Sequence, residues 1–329
     1  MFEHLVKTAK WSAALGASML ALAGAPAMAQ ENYPARPVQI LVPLAPASTV
    51  DVIARKLGDE FSKRLGQQFF VENRPGAGGV IGTAELSGAA PDGYTIGMIS
   101  SNHVINPSIM KTVPFDTLKD ITPISVIGSV PLVLVAHPDY PANSAKELIA
   151  MAKEKPGELD YGSAGNGTAI HLAGVLLTSE AGIDLRHVPY KGTGPLTNDL
   201  VAGHVQLGFL SITAALPQIQ AGTLKALAVS TKDRVASLPD VPTLAEEGLP
   251  DYDFDAWIAM VGPKDMPAEL VDRLYAETKT ALEDPAVAEY FAGQGVVVEG
   301  TDPATTATFF ETELDKHSKL VATAGVPKE

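Results

Sequence analysis

The 329-residue chain has no cysteine. Disulfide scaffolds, thiol nucleophiles, zinc ribbons and thiolate-held clusters are excluded with it. Basic side chains are scarce: 24 Lys and Arg stand against 38 Asp and Glu, a formal charge of −14, which suits neither nucleic acid nor an anionic membrane surface as the main partner. The seven histidines are scattered with no H-x-x-x-H pair, so no metal site of the usual helical kind is offered. Long apolar runs are missing too. Trp11 to Ala25 is too short for a membrane span of ~20 residues, and no later stretch reaches that length without charges. What remains is an ordinary globular composition, 46% apolar and 19% charged, with a length suited to about two domains of ~150 residues each.

The N-terminus reads as an address. Lys7 and Lys10 precede the apolar run, which ends in the small-x-small pattern Ala27-Met28-Ala29. Residues 1–29 are thus expected to be a signal peptide, cleaved after Ala29. Without a cysteine at the cut there is no lipoprotein-type anchor, and the mature, still acidic chain is expected to diffuse freely in the periplasm of a double-membrane bacterium. A chain without thiols also suits an oxidising compartment.

Short apolar runs alternate with segments of helical period in the mature chain, the pattern of an α/β fold with largely parallel sheets. Val38–Val42, Phe69–Glu72 and Tyr94–Ser100 read as strands separated by helices at 50–65 and 79–90. Ile124–Ala136 is too long for an ordinary sheet strand and reads as passing from one lobe into another. The second lobe alternates helix and strand from Ser144 to Ser230. The strand Ala256–Val261 returns the chain, and three helices close it, at 267–282, 285–294 and 303–324. The expected lobes are 30–129 with 255–329, and 130–254. Two crossings between α/β lobes make a hinge, and hinged lobes close on a ligand.

Ligands of open α/β sheets sit where strand ends lead into helix N-termini. Four loops of small and hydroxylated residues occupy such places: Pro43–Asp51, Asn73–Gly79, Gly162–Thr168 and Tyr190–Gly194. Free N–H groups and the positive end of a helix dipole capture a small anion without Lys or Arg, so a small carboxylate suits them. Tight turns and caps explain each loop singly; convergence from both lobes is what a crevice requires. Ser48, Thr168 and Thr193 read as caps, a role compatible with ligand contact. Asp51 reads as a cap or first-turn carboxylate that orders its loop, since it would repel an anion. Arg74 reads as a loop brace paired with a nearby acid. Trp257 and Phe209 read as packing residues, with cleft lining as the alternative.

Cofactor and catalytic patterns fare worse. Gly76-Ala-Gly-Gly-Val-Ile-Gly82 lacks the G-x-G-x-x-G spacing and the acidic residue ~20 positions on that a dinucleotide needs. No cofactor is expected. A serine hydrolase would want G-x-S-x-G, yet Tyr161 stands two before Ser163, and neither His171 nor His187 has a flanking acid at a telling spacing. A secreted hydrolase using Ser163 and His171 is the rival from another class.

From Tyr33 to about Val326 the chain resembles the extracytoplasmic solute-binding receptors of tripartite tricarboxylate transporters, the Bug or TctC-type proteins. Ordered motifs carry the likeness: Tyr33-Pro-x-Arg-Pro37, Val71-Glu-Asn-Arg-Pro-Gly-Ala-Gly-Gly79, Ala90-Pro-Asp-Gly-Tyr94, Tyr161-x-Ser-Ala-Gly-Asn-Gly-Thr168, His187-Val-Pro-Tyr-Lys-Gly192 and Leu238-Pro-Asp-Val-Pro-Thr243. The resemblance implies a two-lobed periplasmic-binding-protein architecture, type II-like, each lobe a sheet flanked by helices and joined by two hinge crossings. It implies a monomeric receptor, not an enzyme, that captures a di- or tricarboxylate or an aromatic carboxylate and presents it to the permease subunits in the membrane. Sensing for a two-component system is the alternative. The ligand residues it implies are Ala45, Ser48, Thr49, Ser163, Ala164, Asn166 and Thr168, with Lys191, Gly192, Thr193 and Ser211 close by. The chain departs from the family at two points. Pro46-Ala-Ser-Thr-Val-Asp51 replaces the usual Pro-Gly-Gly-x-x-Asp, and Leu210-Ser211 replaces an acidic or amide pair, pointing to a ligand without an ammonium group.

Overall fold

The computed structural model describes residues 33–326 and Lys328; the expected leader, residues 1–29, lies outside the described residues. The first crossover unit forms as its pattern requires. Strand β1 (Val38–Val42) leads through a short loop into helix α1 (Thr49–Leu65), which buries Ile53, Leu57 and Phe61 on one face and ends at Gly66 in the left-handed region. Strand β2 (Phe69–Asn73), helix α2 (Val80–Ser87) and strand β3 (Thr95–Ser100) complete the unit, with β2 and β3 both parallel to β1. The expected helix 79–90 is shorter at both ends. Gly76, Gly78 and Gly79 have φ of 139°, 61° and 102°, outside the right-handed helical region, and the helix gives out at Gly88.

Helix α3 (Asn102–Ile109), which the sequence reading omitted, then leads to strand β4 (Ile121–Ala136), one continuous strand of 16 residues. A second alternating series follows: α4 (Ala145–Glu154), β5 (Asp160–Ser163), α5 (Ala169–Ala181), β6 (Arg186–Pro189), α6 (Thr193–Val201), β7 (Leu207–Ser211), α7 (Ile212–Gln220) and β8 (Lys225–Val229). Strand β9 (Asp255–Pro263), helices α8 (Ala268–Leu282) and α9 (Pro285–Gly293), the two-residue β10 (Val297–Val298) and helix α10 (Pro303–Ala324) end the described chain.

The sheet runs β2-β1-β3-β9-β4-β7-β5-β6, with β8 and β10 also paired to β4. Its two ends are parallel, as expected, but its middle is not. Strand β9 is antiparallel to β3, and β4 is antiparallel to β9, β7, β8 and β10. Apolar runs look alike in either direction, so strand sense was not legible where no helical crossover dictates it. The first part of β4 pairs with β9 and its last five residues pair with β7. The long strand therefore belongs to both halves of a curled sheet flanked by helices.

Trp257 and Phe209 are each 1% exposed and lie in the core. The Trp257 ring stacks on Phe310 at 5.1 Å, and its Nε1 donates to Glu313 at 3.1 Å. Together with Leu41, Leu86, Ile99, Val104 and Val126 it joins α10 to the middle of the sheet. Among the described residues no helix is long and apolar enough to cross a membrane.

Candidate functional site

The loop after β1 owes its shape to one carboxylate. Asp51, only 3% exposed, accepts from the Ala47 N–H (2.9 Å), from Arg55 (2.8 and 3.1 Å) and from Asn73 Nδ2 (2.9 Å). Burial by itself would raise its pKa; the bonds from Arg55, Ala47 and Asn73 outweigh that and hold it below the usual carboxylate range. Asn73 also donates to the Leu44 carbonyl at 3.0 Å, fastening the loop to the end of β2. Ala47 sits at φ 62°, where Asp51 holds its N–H, although it has no glycine's freedom. Arg74 pairs with Glu72 and Glu85, as a brace should.

Ser48 caps α1, its hydroxyl accepting from the Asp51 N–H, while Ala45 is exposed and takes the Ser48 N–H on its carbonyl. Helix geometry leaves the N–H groups of Thr49 and Val50 without an intrahelical acceptor, facing outward at the positive end of the dipole. Thr49 Oγ1 lies 3.4 Å from Ser211 Oγ, 162 positions away. Ser211 is the N-cap of α7, and its hydroxyl makes no capping bond. The starts of α1 and α7 thus meet through two neutral hydroxyls.

The loop Ser163–Thr168 is held differently. Ser163 is fully buried; its Oγ accepts the Gly165 N–H at 3.1 Å and shares a 2.6 Å hydrogen bond with His187 Nε2. Thr168 caps α5, accepting from the His171 N–H and donating to the Gly165 carbonyl at 2.8 Å. Asn166 is exposed at the crest. The Ala164 carbonyl accepts the Gly192 N–H at 3.0 Å, and the Ser163 carbonyl accepts the Tyr190 N–H at 2.9 Å, so the loop after β6 is laced to this one. Thr193 is not the cap the sequence suggested: Gly192, at φ 114°, is the N-cap of α6 and Thr193 is the first residue of that helix, while Lys191 is exposed.

The Ser163–His171 pair required by the hydrolase reading does not form. His187 is the partner of Ser163, and His171 Nδ1 accepts the Gly167 N–H at 2.9 Å. Burial drives the pKa of both rings down to about 4, with the neighbouring His187 adding to the effect on His171.

Helix α3 supplies what the sequence reading missed. Asn102 Oδ1 accepts the Ala169 N–H at 3.3 Å, linking the starts of α3 and α5, and Asn106 Nδ2 donates to the Gly78 carbonyl at 3.2 Å. Gly167 lies so close to Ile109 that any Cβ there would strike the isoleucine side chain. The segment after β3 follows the same strand-end rule as the loops after β1 and β2. Pro107 inside the helix and its eight-residue length hid it. A small cavity lies among Pro43, Leu44, Gly78, Gly79, Ser100, Asn102 and Asn106. A larger open groove of about 800 Å³, between the end of α3 and α10, is lined by none of the candidate residues.

The starts of α1 and α7, which follow strands from the two parallel parts of a mixed sheet, thus meet at a pair of hydroxyls, the kind of place where a solute-binding protein holds a small anion. The model of the tripartite tricarboxylate transporter family receptor matches residues 53–326, and the chain belongs to that family. The chain is similar to the periplasmic binding protein BugD (34% identity, 90% of this chain and 100% of that one, TM-score 0.83). It is also similar to R. palustris Rpa4515, solved with adipate (30% identity, 90% and 100%, TM-score 0.86). A third similar structure is MatC from Rhodopseudomonas palustris with bound malate (29% identity, 88% and 100%, TM-score 0.81). The protein is therefore a solute-binding receptor and not an enzyme, and its family is periplasmic.

Proposed function

We propose that the protein binds a small carboxylate, of the dicarboxylate or aromatic acid kind, between the loops at 43–51 and 162–168, and hands it to the permease of a tripartite transporter. The observation that carries this reading is the Thr49–Ser211 contact. It brings two helix starts together through neutral hydroxyls, and such ends favour an anion. Ala45, Ser48, Thr49, Ser163, Ala164, Asn166 and Thr168 form the ligand set, with Lys191, Gly192, Thr193 and Ser211 beside them. The hydroxyls of Ser48, Ser163 and Thr168 are engaged in shaping their loops, and the Ser48 and Thr168 N–H groups are taken by the Ala45 and Gly165 carbonyls, so ligand contact falls to other groups of the set, the Thr49 N–H at the start of α1 among them. Adipate and malate in similar proteins support the chemical class.

The working unit is a pair of lobes, 30–129 with 255–329 and 130–254, that close about β4 and β9. The protein acts as an exported monomer once the leader is cut after Ala29. Asp51 is the sole carboxylate of the four loops, and it is consumed by Arg55, Asn73 and Ala47. A ligand ammonium would find no free carboxylate among these loops, which favours an acid without an amino group. Native mass spectrometry of the protein as purified, followed by calorimetry with malate, adipate, benzoate, glutamate and aspartate, tests the reading. A carboxylic acid recovered intact, with plain acids binding at least about tenfold more tightly than amino acids, is expected; each such factor is ~1.4 kcal/mol. Amino acids binding more tightly than plain diacids would sink the no-ammonium assignment, and an acid recovered chemically altered would sink the receptor reading.

A further inference from the structure

Two histidines grip the ends of the Ser163–Thr168 loop from behind. His187, on β6, bonds Ser163 Oγ at 2.6 Å where the loop leaves β5. His171, on the first turn of α5, accepts the Gly167 N–H at 2.9 Å where the loop enters the helix. The two rings stack on each other with centroids 4.0 Å apart and planes 12° apart, and Tyr161 of β5 lies 5.0 Å from His187 on the tyrosine side. Among the described residues no carboxylate pairs with either ring; the groups facing them are Tyr161, Ser163, Gly167 and each other.

The loop needs such a grip. Gly165 and Gly167 stand at φ 128° and 67°, so its backbone has glycine's freedom at two of its six positions and would wander if its N–H groups were not held. We propose that His171 and His187 are positioning residues for ligand capture: as a neutral stacked pair they fix the spacing of Ser163 and Gly167, and with it the placing of the loop's crest, Ala164 and Asn166, against a carboxylate. This rests on the carboxylate reading of the site.

The geometry dictates the proton positions. A backbone N–H can only donate, so His171 Nδ1 is bare and its proton sits on Nε2. Protonating Nδ1 would set two donors against each other at Gly167, and a cation on either ring would lie against the face of its neighbour. Burial has already biased both rings toward the neutral form. Corrected for protonation of the ligand's own carboxylates, capture should therefore be flat from pH 8 to about 5 and fail as the pH approaches about 4, where the paired rings take up protons.

Two variants separate the hydrogen bond from the packing. His171→Phe keeps an aromatic ring for the stack but has no acceptor; His171→Asn loses the ring but carries Oδ1 close to where Nδ1 lies. Without ligand, nitrogen NMR of the wild-type protein should show His171 as the Nε2–H tautomer, and hydrogen exchange should show a protected Gly167 amide. In the Phe variant the amide should exchange at least about tenfold faster and adipate should bind about tenfold more weakly, the loss expected of one buried hydrogen bond. The Asn variant should recover both to within about threefold of wild type. Exchange and affinity unchanged in the Phe variant would overturn the assignment, as would a loss that Asn fails to restore or an Nδ1–H tautomer. If wild type binds neither adipate nor malate, the ligand reading fails by itself, while the tautomer and exchange results still decide whether His171 holds the loop.

Discussion

At the residue scale, the proposed site is organised by groups outside the proposed ligand set. Asp51 collects three donors from α1, from β2 and from its own loop, which lets a buried carboxylate lie beside the proposed carboxylate site without opposing it. Asp51→Ala would leave those donors unpaired and should lower stability by roughly 3 kcal/mol, measured by urea denaturation. It should also weaken carboxylate binding, because Ala47 loses its tether. Arg55→Ala should cost less than half as much, since the Arg55 side chain is 51% exposed and Asn73 and Ala47 remain. Equal losses in the two variants would mean that the ion pair, and not the loop bonds, supports the site. Two of the three expected caps were legible in the sequence, Ser48 and Thr168, because each stands where a helix pattern begins; Thr193 is not a cap, since Gly192 takes that place, and Asp51 is a first-turn carboxylate. The histidine partners were not legible, because Ser163–His187 and Gly167–His171 depend on how β5, β6 and α5 stack, which no local spacing encodes.

At the element scale, close approach of backbone decides how the loops lie. A Cβ on Gly82 of α2 would come within 2.8 Å of the Pro43 Cα and of the Arg74 carbonyl, neither of which can swing away as a side-chain tip can. Gly82→Ala should therefore push α2 off the start of the first loop and cost about 1–3 kcal/mol. The measurement is a thermal melt beside the control Gly194→Ala, where a Cβ would meet nothing within 4 Å. A second contact ties the segment before β9 to helix α5: the buried Tyr252 hydroxyl donates to the Ala173 carbonyl at 2.8 Å. Tyr252→Phe should cost about 1 kcal/mol with no change in ligand preference. The order of strands and helices could be read from periodicity almost throughout. Helix α3 could not, since Pro107 and eight residues give no sustained pattern, and the antiparallel sense of β4 and β9 is set by partners more than a hundred positions away.

At the scale of the whole molecule, protonation and ligand binding bear on the same equilibrium. His103 is 3% exposed, between Phe115 and Phe310, with Nε2 bonded to the Thr117 carbonyl at 2.7 Å; burial lowers its pKa to about 4, against 6.5 in the unfolded chain. Between those values the unfolded chain binds more protons, so this ring's contribution to stability falls as the pH drops from 6.5 to 4 and is constant above that window. The full effect is on the order of 3 kcal/mol. Asp255, raised by burial, works in the opposite sense, so the histidine's share is read from a variant. His103→Phe should lose less stability than wild type between pH 7 and about 4.5; parallel curves would rule the ring out as the source. A carboxylate bound at a hundred times its Kd should stabilise the protein by about 2.7 kcal/mol, seen as a rise in Tm that follows concentration. The sequence by itself determined the leader-like N-terminus, the acidic and thiol-free character, the alternating elements and the four loops, because each rests on composition or on neighbours a few positions apart. Tertiary structure alone decided that β4 serves both halves of one sheet, that Thr49 meets Ser211, and that His171 and His187 share a face. Those are contacts between distant segments, and burial and hydrogen-bond geometry select them only once the whole chain has packed.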